Sequence, residues 1–267
     1  MGRRLGILSL IVLATIPAGG RADAGTTSSG PFVYVKEKAT IAPPTGGAEV
    51  AERDLVVSCP DGTRTVGAGG SYTGFNSLTR IEPYDVSPVF DPDGDEDDAA
   101  LVSAANLTTK NQKVTGVAVC MKETHGAGDL DYGEASFTAS SGTGGGGSLG
   151  CSAGQEAIGG GAGFDFNGVD ALVQSLPLTT GWAGYLEGAG SGDRDLDVYS
   201  ICLPSTLRDI VVVEKLDVPV VEDAVKKTVV KCAGGRRVVS GGWLGSSASR
   251  VISSVESMPG INLAPGA

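Results

Sequence analysis

Residues 59–70 read CPDGTRTVGAGG, residues 151–162 read CSAGQEAIGGGA and residues 232–243 read CAGGRRVVSGGW; the three align without a gap. Their common pattern is C-x-x-G-x-x-x-[VI]-[GS]-[AG]-G. Gly62, Gly154 and Gly235 hold the fourth place, Val66, Ile158 and Val239 the eighth, and Gly69, Gly161 and Gly242 the eleventh. Self-similarity at a fixed period signals a repeat architecture and has to be sought before anything else. Physically the pattern reads as a strand ending at Cys, a tight turn and a second strand. The Gly three places after the Cys suits a turn that needs positive φ. The paired glycines further on suit close approach of a neighbouring chain, or a kink.

The likeness extends outward. Residues 32–41 (FVYVKEKATI) resemble residues 210–218 (IVVVEKLDV), and residues 135–139 are the expected counterpart between them. Ser175-Leu176-Pro177 matches Ser257-Met258-Pro259. A late Val-rich strand closes each unit at a second cysteine. Residues 114–120 end at Cys120 and residues 196–202 at Cys202, with Leu196, Val198 and Cys202 on one face. The simplest pairing is Cys59–Cys120 and Cys151–Cys202. Five cysteines leave one over, and spacing alone does not fix connectivity. Cys232 is expected to be unpaired, because at a comparable spacing its partner would fall beyond Ala267. The third repeat is therefore expected to be incomplete, the rival reading being a free or intermolecular thiol.

Elsewhere Val-rich runs alternate with polar residues and are bounded by Gly, Asp, Ser and Pro, with hardly any helical periodicity. Glycine, at 42 of 267 residues, serves turns and bulges rather than disorder, since 41% of the chain is hydrophobic. The expected class is all-β: a tandem β-repeat, either β-prism-like or a β-sandwich. The expected organisation is a signal peptide at 1–24, a linker at 25–30, unit 1 at 31–124 with an acidic insertion, unit 2 at 125–207 and a partial unit 3 at 208–267.

The signal peptide reading rests on Arg3 and Arg4, a 12-residue apolar run over residues 5–16, and the small-x-small site Ala22-Asp23-Ala24. That run is too short for a bilayer span of about 20 residues, and no later segment is apolar enough. The mature chain loses three arginines and one aspartate with the signal, which takes the formal charge from −11 to −13. Such an acidic protein repels phosphate backbones, so nucleic acid is excluded as a partner. A secreted or cell-surface location follows, and export makes disulfides plausible.

The pattern resembles the C-x-x-G-x-x-V-x-G-G-G repeats of secreted actinobacterial proteins, most of them uncharacterised. That resemblance implies an exported β-rich protein and no particular activity. Threefold repetition of four-stranded units is also similar, at fold level, to β-prism proteins such as the egg vitelline-membrane outer-layer protein. Function does not follow from fold.

Candidate chemistry is sparse. Six carboxylates crowd residues 91–98. Asp91, Asp93, Asp95, Asp97 and Asp98 could ligate Ca²⁺, which takes six to eight oxygens. The loop is not an EF-hand, because its Gly comes a step early, and a solvated acidic insertion is the competing reading. Tyr72, Trp182, Tyr185 and Trp243, with Phe75, could stack on sugars or pack between sheets. Gly146-x-Ser148-x-Gly150 fits a nucleophile elbow only formally, since the sole histidine, His125, lies upstream and no strand-to-helix turn is evident. Residues 142–147 fit G-x-G-x-x-G, but read as a flexible hairpin loop without a βαβ unit. A single His also makes multi-His metal sites and Ser-His catalysis implausible. No catalytic residue is assigned and no cofactor other than calcium is expected. The function expected is an exported non-catalytic module that binds a glycan or an extracellular protein, or is structural. The alternative is a secreted carboxylate-dependent hydrolase of glycosidase type.

Overall fold

The structure is a computed structural model that describes residues 25–46, 50–72, 81–89, 99–165, 171–187, 192–205 and 239–244. Its strands are β1 (Gly25–Ser29), β2 (Phe32–Ile41), β3 (Ala51–Ser58), β4 (Thr63–Tyr72), β5 (Ile81–Val89), β6 (Ala99–Asn106) and β7 (Gln112–Lys122), then β8 (Asp131–Ala139), β9 (Gly145–Gly150), β10 (Gln155–Phe164), β11 (Ala171–Leu178), β12 (Gly181–Glu187), β13 (Arg194–Pro204) and β14 (Trp243–Leu244). Two single-turn 3-10 helices, Glu123–His125 and Ala127–Asp129, join β7 to β8. The protein is all-β, with every strand pairing antiparallel.

The described strands form three sheets, with orders β1-β2-β7-β4, β3-β6-β5-β10-β13-β8 and β14-β11-β12-β9. Within residues 32–122 the pairings are β2·β7·β4 and β3·β6·β5; within residues 131–204 they are β8·β13·β10 and β9·β12·β11, the same order in the same places. The irregularities coincide too. The β4·β7 register shifts between Thr65 and Gly67 and the β10·β13 register between Ala157 and Gly159, so Val66 and Ile158 are both bulged.

Local chemistry accounts for the turns. Gly62 (φ 73) and Gly154 (φ 87) adopt the left-handed conformation expected of the motif's fourth residue. Thr63 N–H donates to the Pro60 carbonyl at 3.1 Å, and Gln155 N–H to that of Ser152 at 3.0 Å. The cysteines that precede these turns are bonded as expected, Cys59 to Cys120 and Cys151 to Cys202.

Each block is a sandwich, because alternate residues of its central strands are apolar on both faces. On β7, Val114, Ala118 and Cys120 join Val33, Val35, Leu55, Val57 and Val102 in the larger apolar cluster, which continues into the second block through Ala162, Trp182 and Leu196. Val119 and Met121, one residue out of phase, join a second cluster with Phe32, Tyr34, Val66, Ile158, Ile201 and Leu203, drawn from both blocks. Val66 and Ala68 would share a face of a regular strand; the bulge sends Val66 to the second cluster and leaves Ala68 in the first.

Several expectations need correction. Residues 25–29 are not linker: they form β1, a hairpin partner of β2 from Gly25↔Lys36 to Ser29↔Phe32. The β2 counterpart runs over all of β8, longer than residues 135–139. Residues 145–147 are not loop, because they open β9, where the Phe137 ring fills the space that a side chain at Gly147 would need. The blocks are not separable along the chain at 124, since β5 pairs with β10 through Ala162↔Val86 and Gly163↔Asp85, making one six-stranded sheet of both.

Candidate functional site

β12 and β14 flank β11 in the third sheet. Gln174 therefore stands between Tyr185 and Leu244, and Ser175 between Gly184 and Trp243. Strand alternation then separates the aromatic candidates. Trp182 faces inward: it is 1% exposed, it packs with Leu172, Leu186, Leu196 and Val198, and its indole N–H donates to Ser175 Oγ at 2.9 Å. Its assignment as a ligand-binding residue is thereby corrected, for the ring presents no face to solvent and its one polar group is satisfied. A Cβ at Gly160 would come within 2.7 Å of the indole, so the missing side chain there makes its space.

Tyr185, three residues on, faces outward and is half-buried. Its ring lies over Gly146 of β9, where a Cβ would come within 2.8 Å of Cδ2, and its hydroxyl donates to the Thr143 carbonyl at 3.1 Å. The ring is thus held at both ends. Gln174, Leu176 and Glu187 occupy the same outward face and are half-buried, and Leu178 beyond them is 37% exposed. Tyr72 ends β4 opposite Val114, in the first sheet, and its side chain lies outside the described residues. Trp243 is placed by register opposite Ser175.

A second feature was not singled out from the sequence. Glu52 and Asp54 alternate on β3, and Asp165 follows β10. The Glu52 carboxyl is held above its ordinary range, first by partial burial and then by the negative charges of Asp54 and Asp165. Asp54 also accepts a hydrogen bond from Ser103 Oγ at 2.7 Å. The i, i+2 spacing of Glu52 and Asp54 was visible in the sequence, but Asp165 is brought near only by tertiary structure. Among the described residues no group of three or more His, Cys, Asp and Glu side chains could hold a metal ion.

The remaining expectations fall as follows. Asp91, Asp93, Asp95, Asp97 and Asp98 lie outside the described residues, as do Phe75 and Cys232. Ser148 sits in the middle of β9, an extended strand, with none of the strand-to-helix turn of a nucleophile elbow. His125 is exposed in the connection between the blocks, its Nδ1 3.0 Å from Thr124 Oγ1.

Two disulfides fit an oxidising, extracellular environment, and among the described residues no helix is long and apolar enough to cross a membrane. No protein-family model matches the chain, and no curated protein matches it.

Proposed function

We propose that this is an exported, non-catalytic binding module that takes a glycan on the outer face of its third sheet, around Tyr185. The observation that carries the reading is the Tyr185 ring itself, clamped through its hydroxyl to Thr143, backed by Gly146 and half-buried beside Gln174 and Glu187. An immobilised aromatic face costs little entropy when a sugar ring stacks on it, and neighbouring amide and carboxylate groups supply hydrogen bonds to hydroxyls. Duplicated, disulfide-fastened β-blocks suit a rigid scaffold that displays surfaces.

The test is a glycan array followed by calorimetry on the hits. Tyr185→Ala should weaken binding about tenfold or more, the loss of one stacking contact worth ~1–1.5 kcal/mol. Tyr185→Phe, which keeps the ring and frees it from Thr143, should weaken it less. Trp182→Phe should leave affinity unchanged. No hits, with an extracellular protein captured through the same face instead, would replace the glycan with a protein partner. A Ca²⁺ requirement traced to Asp93 and Asp95 would extend the ligand set to the acidic residues 91–98.

A second reading is a carboxylate-dependent hydrolase, and the proton affinity of Glu52 favours it, since a raised carboxyl beside ionised neighbours is what a general acid needs. Hydrolysis of a glycoside that Glu52→Gln abolishes, with binding retained, would establish it.

A further inference from the structure

The backbone contacts between blocks follow a cyclic rule. A Cβ at Gly159, in the second block, would collide with the carbonyl oxygen of Val66 in the first. A Cβ at Gly67, in the first block, would collide with the carbonyl oxygen of Val239. Gly67 and Gly159 are the ninth residues of the aligned motifs; Val66, Ile158 and Val239 are the eighth, and all three belong to the same apolar cluster. The seam strands obey the same rule. β10 pairs with β5 through Ala162 and Gly163, and β14 pairs with β11 through Trp243 and Leu244, which are the same two motif positions. Gly242 lies so close to the Ser175 carbonyl of β11 that a Cβ there would collide with it.

We propose that residues 239–244 are the third wall of a pseudo-threefold ring closed around Val66, Ile158 and Val239, and that its third contact, Ser240 against the Ile158 carbonyl, is the seam that opens first. Two contacts, second block on first and first block on third wall, use glycine to bring one backbone against the next carbonyl. Rotation by one more step puts residue 240 of the third wall against residue 158 of the second block. Residue 240 is a serine. A side chain there cannot approach a carbonyl as closely as the two glycines do, so this contact stands off. Ser240 carries a second handicap: its Oγ is buried without a hydrogen-bond partner, the one such side-chain atom among the described residues. A buried hydroxyl left unpaired opposes closure. The ring therefore has two tight seams and one loose one, and local opening is drawn to the loose one.

The experiment separates the two handicaps. In the full-length protein, Ser240→Gly should raise the melting temperature by a few degrees, and Ser240→Ala, which removes the hydroxyl and keeps the Cβ, should raise it by less. Opening is read directly by native-state maleimide labelling of Ile158→Cys and Val66→Cys variants, the label being located by peptide mapping. Ile158→Cys should react about tenfold faster than Val66→Cys, and Ser240→Gly should remove the difference. Equal rates at the two cysteines, or a Ser240→Gly protein that melts below the parent, would overturn the proposal. If either cysteine variant fails to fold, the Ser240→Ala and Ser240→Gly melts still decide it, since no gain in either sinks the loose seam.

Discussion

The Phe137 ring lies where a side chain at Gly147 would have to be. In the first block the corresponding places, fixed by the registers Ala39↔Val114 and Leu55↔Val102 against Phe137↔Leu196 and Gly147↔Gly184, are held by Ala39 and Leu55. One block puts the bulk on β8, the other on β3, and interiors tolerate such exchanges when total volume is kept. The pairs Gly116 with Val102 and Val198 with Gly184 show the same exchange, a Cβ at Gly116 coming within 3.4 Å of Val102 and one at Gly184 within 3.0 Å of Val198. Gly147→Leu should overpack the second block and cost about 1–3 kcal/mol, and Phe137→Ala should cost ~2 kcal/mol for the partly buried void it leaves. Together, as Phe137→Ala/Gly147→Leu, they should recover about 1–2 kcal/mol of the summed loss. Urea denaturation of the four proteins measures this; strict additivity would mean that the blocks do not share a packing scheme.

The disulfides join the ends of loops of similar length, with sequence separations of 61 and 51. On the loop-entropy argument each stabilises by about 4 kcal/mol, and the two differ by only a few tenths. Cys59→Ala/Cys120→Ala and Cys151→Ala/Cys202→Ala should thus lower stability by nearly equal amounts. A large inequality, read from denaturation midpoints under non-reducing conditions, would point to structure persisting in one unfolded loop.

The features legible in the sequence are those set by short-range chemistry. The motif's fourth glycine marked the turns at Gly62 and Gly154, and cysteines at the ends of strands marked both disulfides. The seams were not legible, because the β5·β10 pairing joins residues some 77 apart through two registers and leaves no local period. β9 is not legible, because Gly146 and Gly147 look like a linker until the Tyr185 and Phe137 rings that lie against them are known. Trp182 reads in the sequence as a candidate surface aromatic, because nothing adjacent to it shows that Ser175 and Gly160 shape a pocket for the indole. Tyr185 is the surface aromatic whose ring the structure describes, and what distinguishes it, the bond to Thr143, spans 42 residues.

Glu52 sets a pH dependence. Its carboxyl has a folded-state proton affinity above the ordinary value, so the folded protein binds the extra proton and the unfolded chain releases it more readily. The stabilising contribution is complete below the ordinary glutamate range and is lost as pH rises through the folded value. Glu52→Gln should therefore melt higher than the parent at pH 7 and show little difference near pH 4. Because Glu52 is largely exposed, the shift should also shrink in high salt. A Glu52→Gln protein equally stable to the parent at pH 7 in low salt would dismiss the raised proton affinity of Glu52.

Asn106 is fully buried at the end of β6 and holds the turn into β7. Its Nδ2 donates towards three backbone carbonyls, Ile41 at 3.1 Å and Ala42 and Lys110 at 3.0 Å each, while Oδ1 accepts from Thr108 N–H at 2.9 Å. Thr108 Oγ1 in turn donates to the Lys110 carbonyl at 3.0 Å and accepts from Gln112 Nε2 at 3.0 Å. One amide thus ties the end of β2 to the β6–β7 turn, and its orientation follows from three acceptors on one side and one donor on the other. Asn106→Ala should cost about 2–3 kcal/mol, the penalty of buried partners left unsatisfied. Asn106→Asp should be worse at pH 7 despite its nearly equal size, for a carboxylate would face three carbonyl oxygens. Burial and those dipoles push such a carboxyl's pKa up, so folding at pH 7 must either bury that charge or take up a proton that the unfolded chain does not hold. The penalty of Asn106→Asp must then fall as pH is lowered towards 4, where the neutral acid can donate one O–H, whereas that of Asn106→Ala must not change. Guanidinium denaturation of both variants at pH 4 and pH 7 checks this, and an Asn106→Asp protein as stable as Asn106→Ala at pH 7 would contradict the donor role of Nδ2.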